Sequence, residues 1–192
     1  MLSTDHKVLF KLRKSFKEIR SFLSLAKEEE LTLLLAISGG ADSVSLLHFC
    51  LELRDEFSLK LAVAHFDHAL REKSASEANF VEEISKESAL PFFSERAQTS
   101  PGAENMEAWA RKERYAFLER ARILSNSQLI ATAHHENDQA ETLLFRMISG
   151  RMARDSHCIA FYDPERFLIR PLLNISRPCL LYTSPSPRDL AR

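Results

Sequence analysis

A chain of 192 residues, 45% hydrophobic and 28% charged, has room for one ordinary domain and a fragment of a second. No apolar run approaches the roughly 20 residues of a membrane span, and the charged N-terminus lacks a signal peptide's apolar core. The formal net charge of −1 does not advertise nucleic-acid binding; Cys50, Cys158 and Cys179 lie too far apart for a disulfide framework, a zinc site or a cysteine-held cluster. A reducing, cytoplasmic setting is the expectation.

Residues 5–27 place Val8, Leu9, Leu12, Phe16, Ile19, Leu23 and Leu25 among basic residues, which predicts an amphipathic helix. Residues 31–37 are a short continuous apolar run, the pattern of a strand buried on both faces. Helix follows over 43–56, then a second buried strand over 59–65. Residues 74–88 read as a helix with Ser74 and Glu77 placed as a capping box. A strand over 91–94, a long amphipathic helix over 104–124, a strand over 128–133, a helix over 137–148 and a strand over 167–172 complete the pattern. Strands alternating with helices predict an α/β fold, a parallel twisted sheet of about five strands with helices on both faces.

The polar motifs each begin where an apolar strand stops. Ser38-Gly39-Gly40-Ala41-Asp42-Ser43 joins the first strand to a helix. Two glycines let backbone amides approach a ligand, and the helix start aims its unsatisfied N–H groups at the same place. Asp42 suits Mg²⁺ held against phosphates. The loop is neither a Walker A motif, lacking Gly-Lys-Ser/Thr, nor a dinucleotide fingerprint, lacking a third glycine. Two glycines alone mark only a turn.

His65-Phe66-Asp67-His68-Ala69-Leu70-Arg71 supplies imidazoles, a carboxylate and a guanidinium just past the second strand. Glu107, Arg111 and Arg114 fall at i, i+4 and i+7 on one helix face, opposite Met106, Trp109, Ala110 and Phe117; that stripe faces either a cleft or plain solvent. His134 precedes a helix whose first turns carry Asp138 and Glu141 at i and i+3, as a cation site or simple capping would require. Three polar clusters at three strand ends converge on one cleft if the sheet is parallel. The segment from Arg146 to Arg177 holds six Arg and no Lys, a mildly basic stretch.

Ser-Gly-Gly-Ala-Asp-Ser resembles the PP-loop of the N-type ATP pyrophosphatases. Together with His-Phe-Asp-His-Ala-Leu-Arg, Asn-Met-Glu…Ala-Arg…Arg-Tyr and His-His-Glu-Asn-Asp-Gln-Ala-Glu-Thr, it resembles the tRNA(Ile)-lysidine synthase branch over residues 31–177. The resemblance implies an adenine nucleotide alpha hydrolase-like fold and a two-step ligase. ATP adenylates the carbonyl oxygen at C2 of the wobble cytidine in tRNA(Ile) with a CAU anticodon; free L-lysine then displaces AMP. It implies ATP on Ser38, Gly39, Gly40, Ala41, Asp42, Ser43, His65 and Arg71, with Mg²⁺ on Asp42. Catalytic roles fall to Asp42, Arg111, His134 and Asp138, and lysine or cytidine contacts to Glu107, Arg114, Asp138 and Glu141.

Asn137 stands where the family usually has a first aspartate, and Ser149-Gly-Arg-Met-Ala-Arg154 replaces a glycine-rich Gly-Leu segment. The expected organisation is a helix over 1–30 packing on the domain and a catalytic domain over 31–177. Residues 178–192, rich in proline and without periodicity, are expected to be a non-native or disordered tail of a truncated chain. The competing readings are a PP-loop enzyme of tRNA thiolation or small-molecule amidation, and a nucleotide-binding module without turnover.

Overall fold

Continuous apolar strands and one-sided helices assemble here in the way their periods require. The computed structural model describes residues 4–68, 74–98, 105–149 and 158–183. In chain order these form α1 (Thr4–Phe22), β1 (Leu31–Ala36), α2 (Ala41–Glu52), β2 (Leu59–Asp67), α3 (Ser74–Glu87), β3 (Phe92–Arg96) and α4 (Met106–Leu124). Then come β4 (Leu129–Ala131), α5 (Glu136–Ile148), β5 (Tyr162–Asp163), a 3-10 turn (Pro164–Arg166), β6 (Leu168–Ile169) and α6 (Arg177–Thr183). The sheet runs β3-β2-β1-β4-β6-β5, every pairing parallel except β5 with β6. It has six strands against about five expected; the two-residue β5 is too short to carry a hydrophobic pattern.

The layering follows from the two-residue period of the strands. Leu31, Leu33 and Leu35 of β1 join a large core with Val8, Leu12, Phe16 and Ile19 of α1 and Val44, Leu46, Leu47 and Phe49 of α2. Leu34, between them, joins a smaller core with Phe117, Leu118 and Ala121 of α4. β2 repeats the split, with Leu59, Leu61 and Val63 on the first face and Ala62, Ala64 and Phe66 on the second. Each fully buried Leu contributes about 1.5–3 kcal/mol, so the face carrying α1 and α2 holds most of the apolar stabilisation.

Of the boundaries that differ from the expected ones, two have a distinct physical cause. α1 ends at Phe22 rather than 27, because Ser24 takes φ 53° and Leu25 N–H closes the turn on the Arg20 carbonyl at 3.0 Å. The buried Arg20 then gathers the loop, donating to the carbonyls of Ala26, Glu29 and Phe57. At the other end, order continues past Arg177 as α6, whose Leu180 is fully buried in the larger core. Pro178 is tolerated there because the first helical turn has no amide partners to lose. The expected tail boundary at 178 therefore falls inside a helix; residues 184–192 lie outside the described residues, as does the side chain of Ser74, the expected cap of α3. No helix among the described residues is long and apolar enough to cross a membrane.

Candidate active site

The strand order reverses between β1 and β4, and a ligand crevice forms outside the carboxyl ends of strands at such a point. A cavity of about 510 Å³ opens there, within the range of small-molecule sites. Its walls come from the ends of β1, β2 and β4 and from the inward side of α4.

The wall after β1 is the glycine loop. Gly39 has φ +87°, a conformation that a side chain would strain, and a Cβ there would also meet Glu77 and Val81 of α3 at 3.5 Å. The serines shape the loop. Ser43 Oγ donates to the Gly40 carbonyl at 2.8 Å and accepts from Ser38 N–H at 3.2 Å, while the two hydroxyls stand 3.2 Å apart. Gly40 is the N-cap of α2 and no side chain caps it, so the dipole-bearing helix start faces the cavity. Ser38, Gly40, Asp42 and Ser43 line the cavity.

After β2, His65 is buried and its Nδ1 lies 2.9 Å from the Ile37 carbonyl, so Nδ1 carries the proton and donates. Its Nε2 is buried and unpartnered, and the residue is part of the cavity wall. His68 lies beside it with its pKa lowered, first by burial and then by the Arg114 guanidinium. Arg71, expected at this wall, lies outside the described residues.

After β4, Thr132 Oγ1 sits 2.8 Å from His134 Nδ1. Burial, then the Arg170 guanidinium, push the His134 pKa down to about 4, with Asp138 opposing. His134 is therefore neutral at pH 7. The next residue, His135, is buried between two carboxylates: Nε2 lies 3.8 Å from Asp42 Oδ2 and Nδ1 lies 3.3 Å from Asp138 Oδ2. Asp138 also accepts the His135 backbone N–H at 2.7 Å, fixing the start of α5. The Asp42 carboxylate has a second partner in Arg177 of α6, whose Nε donates to Oδ1 at 3.2 Å. Asn137 Oδ1 accepts the Arg177 backbone N–H at 3.0 Å, so the residue replacing the family's aspartate joins α5 to α6.

The structure brings Ser38, Gly40, Asp42, Ser43, His65, Arg114, His134 and Asp138 of the expected residues to one cavity. Gly39 and Ala41 shape the loop without lining it. Glu107, Arg111 and Glu141 are exposed and outside the lining. Glu107 shares a face with Arg114 but stands seven residues earlier, about 10 Å along the axis. Arg111 instead lies over Tyr115, its guanidinium 4.9 Å from the ring centroid. Sequence reasoning missed His135, Tyr115 and Arg177. The doubled His134-His135 carried a hint of the first, and the Arg-Tyr pair at 114–115 a hint of the second. Nothing short of the fold brings Arg177 to Asp42.

A model of the PP-loop domain matches residues 8–186. The chain is 36% identical over 172 residues to the tRNA(Ile)-lysidine synthase of Protochlamydia amoebophila, covering 85% of this chain and 36% of the relative. For the tRNA(Ile)-lysidine synthase of Lactococcus lactis the identity is 35% over 165 residues, covering 82% and 38%. The chain thus spans little more than a third of the curated relatives it matches. Among solved structures, the U34-tRNA thiolase NcsA of Methanococcus maripaludis, which carries a 4Fe-4S cluster, superposes with TM-score 0.67 at 15% identity, covering 90% of this chain and 63% of that one. NMN synthetase of Francisella tularensis gives TM-score 0.61 at 11% identity, covering 100% and 75%. These likenesses speak for the fold alone. With the match spanning nearly its whole length and the glycine loop at its sheet's switch point, the chain belongs to the PP-loop domain family.

Proposed function

We propose that this chain is the ATP-binding catalytic part of an enzyme that modifies tRNA(Ile) with a CAU anticodon, joining free L-lysine to its wobble cytidine. The observation that carries the reading is the meeting of three motif segments, from the ends of β1, β2 and β4, in one cavity at the switch point. The names of relatives at 35–36% identity support it.

ATP phosphates fit the glycine loop, where bare amides and the α2 dipole favour an anion. His65 Nε2, with Nδ1 already donating, offers an acceptor to a hydroxyl or amino group of the nucleoside. Asp42 offers one carboxylate at the loop's mouth, and among the described residues no three His, Cys, Asp or Glu side chains gather as a metal cage. That donor set fits a magnesium ion that arrives on phosphates and keeps its water. Such an ion would neutralise charge on the departing pyrophosphate.

In the first step the cytidine C2 carbonyl oxygen attacks the α-phosphorus and pyrophosphate leaves. In the second, the ε-amine of lysine attacks C2, AMP departs with the activated oxygen, and the amine sheds a proton. Asp138, the one of the two expected α5 carboxylates that lines the cavity, holds the ammonium before attack; Glu141 stays on the exposed rim. The neutral His134 beside it adds no positive charge to repel that ammonium. Arg114 faces the nucleotide or cytidine from α4.

The test is to incubate the protein with ATP, Mg²⁺, lysine and the tRNA transcript, then weigh the tRNA. The expected product gains one lysine less one water, with one AMP and one pyrophosphate formed per event. Pyrophosphate release without lysine in the RNA would overturn the ligase reading. Asp42→Asn should lower turnover about a hundredfold or more, the scale for losing a charge stabiliser of the transition state; full activity would remove its role.

A further inference from the structure

The α4 rim of the cavity concentrates guanidinium groups, of which the reading above uses only Arg114. Tyr115 lines the cavity, and its ring centroid lies 4.9 Å from the Arg111 guanidinium, 5.4 Å from that of Arg114 and 5.5 Å from that of Arg166. These come from separate elements, two from α4 and one from the 3-10 turn between β5 and β6. Arg170, buried at 6% exposure with Nε unpartnered, stands close enough to help depress His134. Against these four cations, Asp163 pairs with Arg166 at 2.9 Å, and among the described residues no carboxylate pairs with Arg111 or Arg114. The field reaches across the cavity, since Arg114 disfavours the charged forms of both His68 and His134.

Like charges gather around one ring only at a cost, which the ring's negative face offsets in part. The arrangement holds guanidinium planes ready for an anion, and arginine forks match phosphate oxygens bidentately. The glycine loop, on the wall after β1, already accounts for a triphosphate. Lysine, itself cationic, gives this rim no use. A base delivered into the cavity as part of a polymer does, because it brings a phosphodiester on each side of it.

We infer that the rim formed by Tyr115, Arg111, Arg114 and Arg166 clamps the backbone phosphates of single-stranded RNA on either side of the nucleotide that enters the cavity. The inference rests on the tRNA reading but assigns a contact that reading does not contain. Single-stranded RNA is held in this manner elsewhere, by cationic grooves with aromatic and guanidinium planes.

The experiment measures binding of a fluorescent anticodon-loop RNA hairpin across a salt series, with ATP binding measured in parallel. Arg166→Gln and Arg166→Glu alter the exposed arm of the clamp; Tyr115→Leu keeps every charge but removes the ring. Arg166→Gln should weaken the hairpin about three- to tenfold and flatten the salt slope by about 0.7, the value for one contact to a single strand. Arg166→Glu should weaken it further, Tyr115→Leu should weaken it at unchanged slope, and ATP affinity should hold in all three. Unchanged RNA affinity and slope in both Arg166 variants, with wild-type binding intact, would overturn the clamp while leaving the tRNA reading standing. Loss of ATP affinity in place of RNA affinity would also overturn it. A wild-type protein that fails to bind the hairpin at low salt would sink the tRNA reading and the clamp together.

Discussion

Two helices frame the site and are built in opposite ways. α2 and α5 both start at the cavity and carry a carboxylate in the first turn, Asp42 and Asp138. α2 buries Ser43, Val44, Ser45, Leu46, Leu47, Phe49 and Cys50, whereas α5 buries no residue. On α5, Leu144, Phe145, Met147 and Ile148 are 56%, 65%, 56% and 87% exposed. What holds α5 is polar and lies in its first turn. Asp138 takes the His135 amide, Glu136 N–H reaches the Ile175 carbonyl at 3.0 Å, and Gln139 exchanges two 2.8 Å bonds with the backbone of Ile159. The phosphate half of the site is thus anchored by apolar burial, and the other half by hydrogen bonds at one end of a helix. Regions with few buried contacts open at lower free energy than core elements.

The sharpest way to break this comparison is to cut matching side chains from the two helices. Phe49→Ala should cost about 3–5 kcal/mol in urea unfolding, whereas Phe145→Ala should stay within about 0.5 kcal/mol. Equal losses would mean that α5 is packed after all. A smaller effect is expected from protons. The unfolded chain binds a proton at His134 near the ordinary imidazole pKa of 6.5, while the folded chain refuses it until about pH 4. Stability due to this residue is therefore complete above about 6.5 and is lost as pH falls toward 4. The change is on the order of 3 kcal/mol. His134→Gln should flatten the stability-versus-pH curve in that window; an unchanged slope would refute the assignment.

Next comes the tie between the helices. Asn137→Ala removes the acceptor for the Arg177 amide and should cost about 1 kcal/mol, while Asn137→Asp should restore most of it. The smallest effect is the most direct. Hydrogen exchange should run faster over 140–148 than over 44–50 in the same sample, and equal protection would erase the contrast.

The α2 half was legible in the sequence because its information is local. A strand-length apolar run, two glycines and a periodic helix specify a loop whose dihedrals and amides need little else, and Gly39 occupies the left-handed conformation that its residue type permits. The ends of β2 and β4 were legible for the same reason, since polar residues begin where the apolar runs stop, even though His65 and His135 are themselves buried. The α5 half was less so. Helical spacing placed Asp138 and Glu141 on neighbouring positions but did not say how far along the helix the cavity reaches, and only Asp138 lies within it. Of two adjacent histidines, the choice between the one that bridges carboxylates and the one beside Thr132 depends on the turn into α5. Leu180 shows the limit most plainly. Its burial depends on a core built by residues more than a hundred positions earlier, so a proline-flanked segment without periodicity gave no sign of a helix.

The Asp42–Arg177 pair joins positions 135 apart in the chain. Synthesis runs from the N-terminus, so the glycine loop and the strands that shape it leave the ribosome well before the guanidinium that balances the loop's carboxylate. Closing such a long-range contact is slow relative to forming the local turn. The residues of the anion cradle thus precede by 135 positions the guanidinium that balances its aspartate, and that balance waits for α6.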